Sequence, residues 1–202
     1  MSSKADICNL ALSHLGVSTE INDLDTERSQ EAQTCRRFYD QTRQELLRDF
    51  PWQFATQRKT LARVATDPTD DWGYSYRFPS DVLTLHRVQT SLGRLTPRSL
   101  QIPFALGSDT SGRLVYTDDS AGVFFATMDV TDPAMFTPDF VQLFALKLAA
   151  WIAPRITNGD EFKLGERAMQ MYAYQLMIAR ANAASEQDLG VPLDSEFITE
   201  RG

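Results

Sequence analysis

Apolar residues recur every three or four positions in the first fifty residues, lose that period in the middle of the chain, and regain it from about residue 137. Residues 3 to 15 read as a short helix with Ile7, Cys8, Ala11, Leu12 and Leu15 on one stripe. Ser3 and Asp6 have the spacing of a capping box, and Gly16 supplies a stop. A second helix starts between Thr26 and Ser29 and runs to about Phe50, with Ala32, Cys35, Tyr39, Thr42, Leu46 and Phe50 on one face. Pro51 ends it, because proline lacks a donor and pushes the preceding residue out of helical geometry. Trp52 and Phe54 follow as aromatic plugs for a core.

From 66 to 135 the pattern predicts β structure. Thr60 to Val64, Tyr74 to Phe78, Val82 to Val88, Leu114 to Tyr116 and Val123 to Thr127 are the expected strands. Gly107 to Gly112 and Asp118 to Gly122 read as exposed turns. Thr137-Pro138-Asp139 then opens a third helix with Phe140, Phe144, Leu148, Trp151 and Ile152 on its face, kinked or closed by Pro154. A final helix over about 160–185 places Phe162, Gly165, Met169, Tyr172, Leu176, Ala179 and Ala183 on one side. The expected fold is α+β: mainly a helical bundle of about four helices, with a small β-rich module inserted. The helical domain is discontinuous, 1–60 and 136–186. The insertion covers 61–135, and 187–202 form an extended C-terminal arm. Trp52, Phe54, Tyr76, Pro79, Phe140 and Trp151 are the expected structural core.

Composition narrows the function. The chain has 202 residues, 43% hydrophobic, enough for a packed core. Its net charge of −7 argues against tight general binding to DNA phosphates. No apolar run approaches the roughly 20 residues that cross a bilayer, so no membrane partner is expected. Two cysteines, Cys8 and Cys35, both on apolar stripes, read as buried inert thiols, and His14 and His86 are too few for a histidine-rich metal site. No phosphate loop and no Gly-x-Ser-x-Gly elbow is present. The acidic pairs Asp70-Asp71, Asp118-Asp119 and Asp160-Glu161 occupy loops or a helix start, where solvated carboxylates and caps are ordinary. No catalytic, metal or cofactor site is expected. The last stretch, residues 185–202, carries five acids against one arginine, with Leu189, Val191, Leu193, Phe197 and Ile198 among them. It reads either as a segment docked on its own domain or as one that orders on a partner.

The order of these segments is itself a signature. Its parts are Ile7 to Leu12 with Leu15-Gly16, Glu31-Ala32 through Cys35, and Phe38-Tyr39-Asp40 with Arg43 and Leu46-Leu47. Pro51-Trp52-Gln53-Phe54-Ala55, Arg58 through Leu61, Trp72 through Tyr76 and Phe78-Pro79-Ser80-Asp81 follow. Tyr116-Thr117-Asp118, Val130-Thr131-Asp132, Phe136, Phe140 and the Ala-rich helix around 146 to 153 complete it. The Pro-Trp-x-Phe-Ala and Tyr-x-Phe-Pro-x-Asp runs are the most specific. In this order they resemble the tail tubular protein A family of short-tailed bacteriophages, the head-to-tail adaptors, over roughly residues 5 to 185.

The resemblance implies a structural virion protein at the head-tail junction, assembled in the host cytoplasm. It implies a ring, typically of twelve copies, between the portal protein and the tail nozzle protein. DNA is ejected through its lumen without sequence recognition. No catalytic residue transfers. On this reading the arm residues Leu189, Val191, Leu193, Phe197 and Ile198 are the candidates for portal binding, and the channel wall is acidic or mixed. The competing expectation is a carboxylate-dependent cell-wall hydrolase carried in the virion.

Overall fold

The computed structural model describes residues 2–64, 71–90, 101–160 and 162–185. Four helices and six strands follow in the order α1 (Lys4–His14), α2 (Gln30–Asp49), β1 (Thr56–Thr60), β2 (Tyr74–Arg77), β3 (Val82–Val88), β4 (Phe104–Asp109), β5 (Gly112–Thr117), β6 (Val123–Met128), α3 (Pro138–Ile156) and α4 (Leu164–Ser185). Of the described residues about 44% are helical and 21% are in strands, which form two three-stranded antiparallel sheets. This corrects the expectation of a mainly helical bundle with a small insert; the architecture is mixed α+β. The excess over expectation comes from strand pairing. Phe104–Asp109, at whose end the Gly107 to Gly112 turn was expected, is a strand paired in register with β5. Gly107 fits there because a Cβ at that position would meet the Tyr116 ring at 2.4 Å.

The helix ends obey local chemistry. Ser3 Oγ accepts the Asp6 N–H at 3.1 Å and Asp6 accepts the Ser3 N–H at 2.8 Å. Those hydrogen bonds hold the Asp6 carboxyl below its ordinary pKa. Ser29 caps α2 through the Ala32 N–H. Phe50 is extended ahead of Pro51. Thr137 makes no side-chain capping bond, although Pro138 opens α3 as expected. Pro154 does not close α3, which continues to Ile156; lacking an N–H, proline forgoes one hydrogen bond to the preceding turn there. Asp160 starts α4 instead, its carboxylate accepting the N–H groups of Leu164 (2.6 Å) and Gly165 (2.9 Å).

One sheet has the order β1-β6-β3 and the other β2-β5-β4. β1 lies at Thr56–Thr60, four residues before the expected Thr60 to Val64. Residues 61–64 leave the first sheet and pair with β2 in the second: Val64 donates to Ser75 O at 2.9 Å, and Arg77 donates to Ala62 O at 2.8 Å. This crossing segment ties the two sheets edge to edge. Tyr76, Phe78, Val115, Phe124 and Met128, from both sheets, form one apolar cluster. The helices enclose a second cluster, centred on Phe140, Phe144, Leu46 and Ile152. Trp52 is buried there, its indole N–H donating to Leu46 O at 3.0 Å. Its ring meets Phe140 edge-on at 5.2 Å.

Among the expected core residues, Trp52, Tyr76 and Phe140 are buried, while Phe54 and Pro79 are half-buried. Trp151 is 44% exposed. The buried face of α3 runs through Phe140, Phe144, Leu148 and Ile152, a step of four, which turns Trp151 to the rim.

The helical part and the sheets meet at a buried cation. Arg43, 2% exposed, donates to the Asp129 carboxylate and to Val130 O at 2.8 Å. Gln44 donates to the other Asp129 oxygen at 2.9 Å. Val130 packs against both clusters.

Candidate assembly surface

α4 is apolar on more than one side, and that sets its chemistry. Its inner side lies on α3 through small residues and one aromatic: Gly165, Ala168, Tyr172 and Ala179 are buried. The close approach needs Gly165, where a Cβ would sit 2.9 Å from the Ala153 Cβ and 3.1 Å from Ala150 O. The outer side presents Met169, Met171, Tyr174, Met177 and Ile178 to solvent. Tyr174 is 62% exposed, Met177 63% and Ile178 42%. Residues 170, 173, 174, 177, 178 and 181 lie at helical spacing, so Ala173, Tyr174, Met177, Ile178 and Ala181 form one patch. Phe162, expected on the inner face, is 84% exposed ahead of the helix start.

Beneath α4 lies a polar network. Asp49, at the end of α2, accepts from the Tyr172 hydroxyl at 2.5 Å and from Lys147 Nζ at 2.6 Å. Lys147 is nearly buried and also lies 3.6 Å from Glu45. Arg180 donates to Asp49 O at 2.9 Å. Burial, and then the bond to Asp49, push the Tyr172 hydroxyl well above the ordinary phenol range. An open cleft of about 440 Å³ borders Glu45, Arg48, Asp49 and Lys147. The arrangement joins α2, α3 and α4 and fixes the height at which the outer patch is displayed.

A second cavity, about 290 Å³, lies between the end of α1 and the start of α4, lined by Ser13, His14, Leu164, Arg167, Ala168 and Met171. Burial lowers the His14 pKa. Cys8 and Cys35 are free, buried thiols in the helical core, and the Cys35 partner and burial raise the Cys8 pKa. Among the described residues no group of three or more His, Cys, Asp or Glu could hold a metal ion.

Three members of the acidic pairs have backbone roles, and Asp71 is exposed. Asp118 accepts the Gly73 N–H at 2.9 Å and Asp119 accepts the Gly122 N–H at 2.9 Å. Asp160 starts α4, while Asp70 and Glu161 lie outside the described residues. The arm residues Leu189, Val191, Leu193, Phe197 and Ile198 also lie outside them. The outer patch of α4 escaped the sequence reading, which followed a single three-four step. The signal was present: Met171, Tyr174, Met177 and Ile178 fall off that step, so the helix is apolar on two sides. No family model matches the chain, and no curated protein matches it either.

Proposed function

We propose that this chain is a structural assembly subunit, the head-to-tail adaptor of a bacteriophage virion. Copies close into a ring, twelve being the number the resemblance implies, between the portal and the tail nozzle, and DNA passes through the lumen. The observation that carries the reading is the outer side of α4. A helix face with Tyr174, Met177 and Ile178 at 62%, 63% and 42% exposure is costly to leave in water and marks a contact surface. Full burial of each such side chain is worth about 1.5–3 kcal/mol, so a few of them at each joint suffice when the joint is repeated around a closed ring.

The supporting features are structural in kind. The Arg43–Asp129 contact ties the helices to the sheets, and the Asp49 network ties α2, α3 and α4 to one another. The carboxylates at Asp118, Asp119 and Asp160 bond to backbone N–H groups. Leu189, Val191, Leu193, Phe197 and Ile198 are the candidates for contact with the portal. The reading is tested by mixing the full chain with the portal protein of the same phage and sedimenting the mixture. Co-sedimentation in a fixed ratio of copies is expected; a chain that stays behind as monomer overturns it.

A further inference from the structure

The outer face of the β1-β6-β3 sheet holds a second feature, which the helices do not explain. Phe125 on β6 is directly paired with Arg58 on β1 and with Arg87 on β3. The Arg58 guanidinium lies 5.4 Å from the Phe125 ring centroid and that of Arg87 lies 4.3 Å from it. Stacking of this kind holds a guanidinium flat and leaves its N–H edge free for carboxylate or phosphate. Among the described residues neither guanidinium has an ion-pair or hydrogen-bond partner. By contrast, Lys59 is paired with Asp81 and Arg77 with Asp109.

The distribution of charge says which anion fits. Residues 56–128 carry eight basic and seven acidic side chains, net +1, so the rest of the chain holds −8. A chain of net −7 repels a DNA strand, whereas the same separation of charge favours contact between the sheets of one copy and an acidic region of another. The densest acidic stretch among the described residues runs from the connector between α1 and α2 into the first turn of α2, with Glu20, Asp23, Asp25, Glu27 and Glu31 against Arg28. Its shape is set internally. Asp23 accepts from Thr26 Oγ1 at 2.5 Å and from the Asp25 N–H at 3.0 Å, and Glu27 accepts from the Asn22 N–H at 2.9 Å. Glu20 is exposed on it, and Asp25, also exposed, accepts from Lys4 Nζ at 3.1 Å.

We infer that the Arg58–Phe125–Arg87 face receives the acidic 20–31 stretch of a second copy. The two surfaces differ, so the contact is head-to-tail and can propagate around a ring. The inference rests on the assembly reading and names a second joint beside the outer patch of α4. Paired guanidinium–carboxylate bonds give the joint direction and salt sensitivity rather than its main strength.

The test is a charge swap in the full chain, read by sedimentation velocity in about 20 mM salt, where screening is weak. One variant carries Arg58→Glu and Arg87→Glu, the other Glu20→Lys and Asp25→Lys. Wild-type protein associates; each variant alone associates about tenfold more weakly or less, and the equimolar mixture regains the wild-type level. Regain in the mixture also certifies that both variants are folded. Variants that associate as well as wild type overturn the inference and leave the assembly reading standing on the portal experiment. Wild type and mixture that both stay monomeric also overturn it, whatever the portal experiment gives. A labelled DNA duplex bound through Arg58 and Arg87, with no self-association, overturns it in favour of a phosphate backbone.

Discussion

The Tyr172 hydroxyl donates to the Asp49 carboxylate at 2.5 Å, joining α4 to the end of α2 across 123 residues of sequence. The same carboxylate oxygen neutralises Lys147, whose side chain is only 10% exposed. Removing the acceptor leaves that cation with Glu45 alone, 3.6 Å away. Asp49→Ala is therefore expected to cost about 1–3 kcal/mol and Tyr172→Phe about 1 kcal/mol, because an unsatisfied buried partner is worse than a missing bond. Urea unfolding of the two variants checks this, and a double variant less costly than the sum of the singles shows that they share one network.

Gly165 sets how closely α4 lies on α3. Gly165→Ala forces a Cβ to within 2.9 Å of Ala153 and 3.1 Å of Ala150 O, both on a packed helix that cannot swing aside. The expected cost is about 1–3 kcal/mol, although alanine is the better helix former. A stabilised variant in thermal unfolding would mean that the two helices have slack at this crossing.

On the β module the pair Arg77–Asp109 gives a pH prediction. Arg77 hydrogen-bonds the Asp109 carboxylate at 2.7 and 2.9 Å and holds its pKa at about 2, below the ordinary 3.8. A depressed folded-state pKa contributes stability that is complete above the unfolded value and is lost as pH falls through the folded one. The contribution is therefore present above about pH 4 and fades toward pH 2. Carboxyl NMR titration should find the Asp109 midpoint near 2, and Arg77→Gln should move it up toward 3.8.

Helix ends and most strands were legible in the sequence because their causes are local. The Ser3-Asp6 box, the stop at Pro51 and the Pro138 start need only near neighbours. Val82–Val88 and Val123–Met128 stand where alternating β-branched and aromatic residues put them. Phe104–Asp109 was missed at its glycine because pairing to β5 and the Tyr116 ring, not local preference, decide that segment. Nothing in the residues next to Arg43 on α2 marks it as buried. Its burial depends on Asp129, 86 residues away, which no local pattern reports. The α4 patch was written in the sequence but masked by the assumption that one helix has one apolar face.

That patch gives the most direct separation of folding from assembly. Met177→Glu with Ile178→Glu touches side chains that are 63% and 42% exposed, so stability should change by only about 1 kcal/mol. Ring formation with the portal should fall sharply, since the substitutions place two charges in a contact that must be desolvated. Circular dichroism melts and sedimentation with the portal, run on the same preparation, read the two effects separately.

Single-particle electron microscopy of the full chain assembled on its portal bears most directly on the function proposed. A closed ring with Tyr174, Met177 and Ile178 of every copy buried at the joint with its neighbour is the result expected. A ring that leaves this face of α4 in solvent, or a portal with no ring upon it, contradicts it.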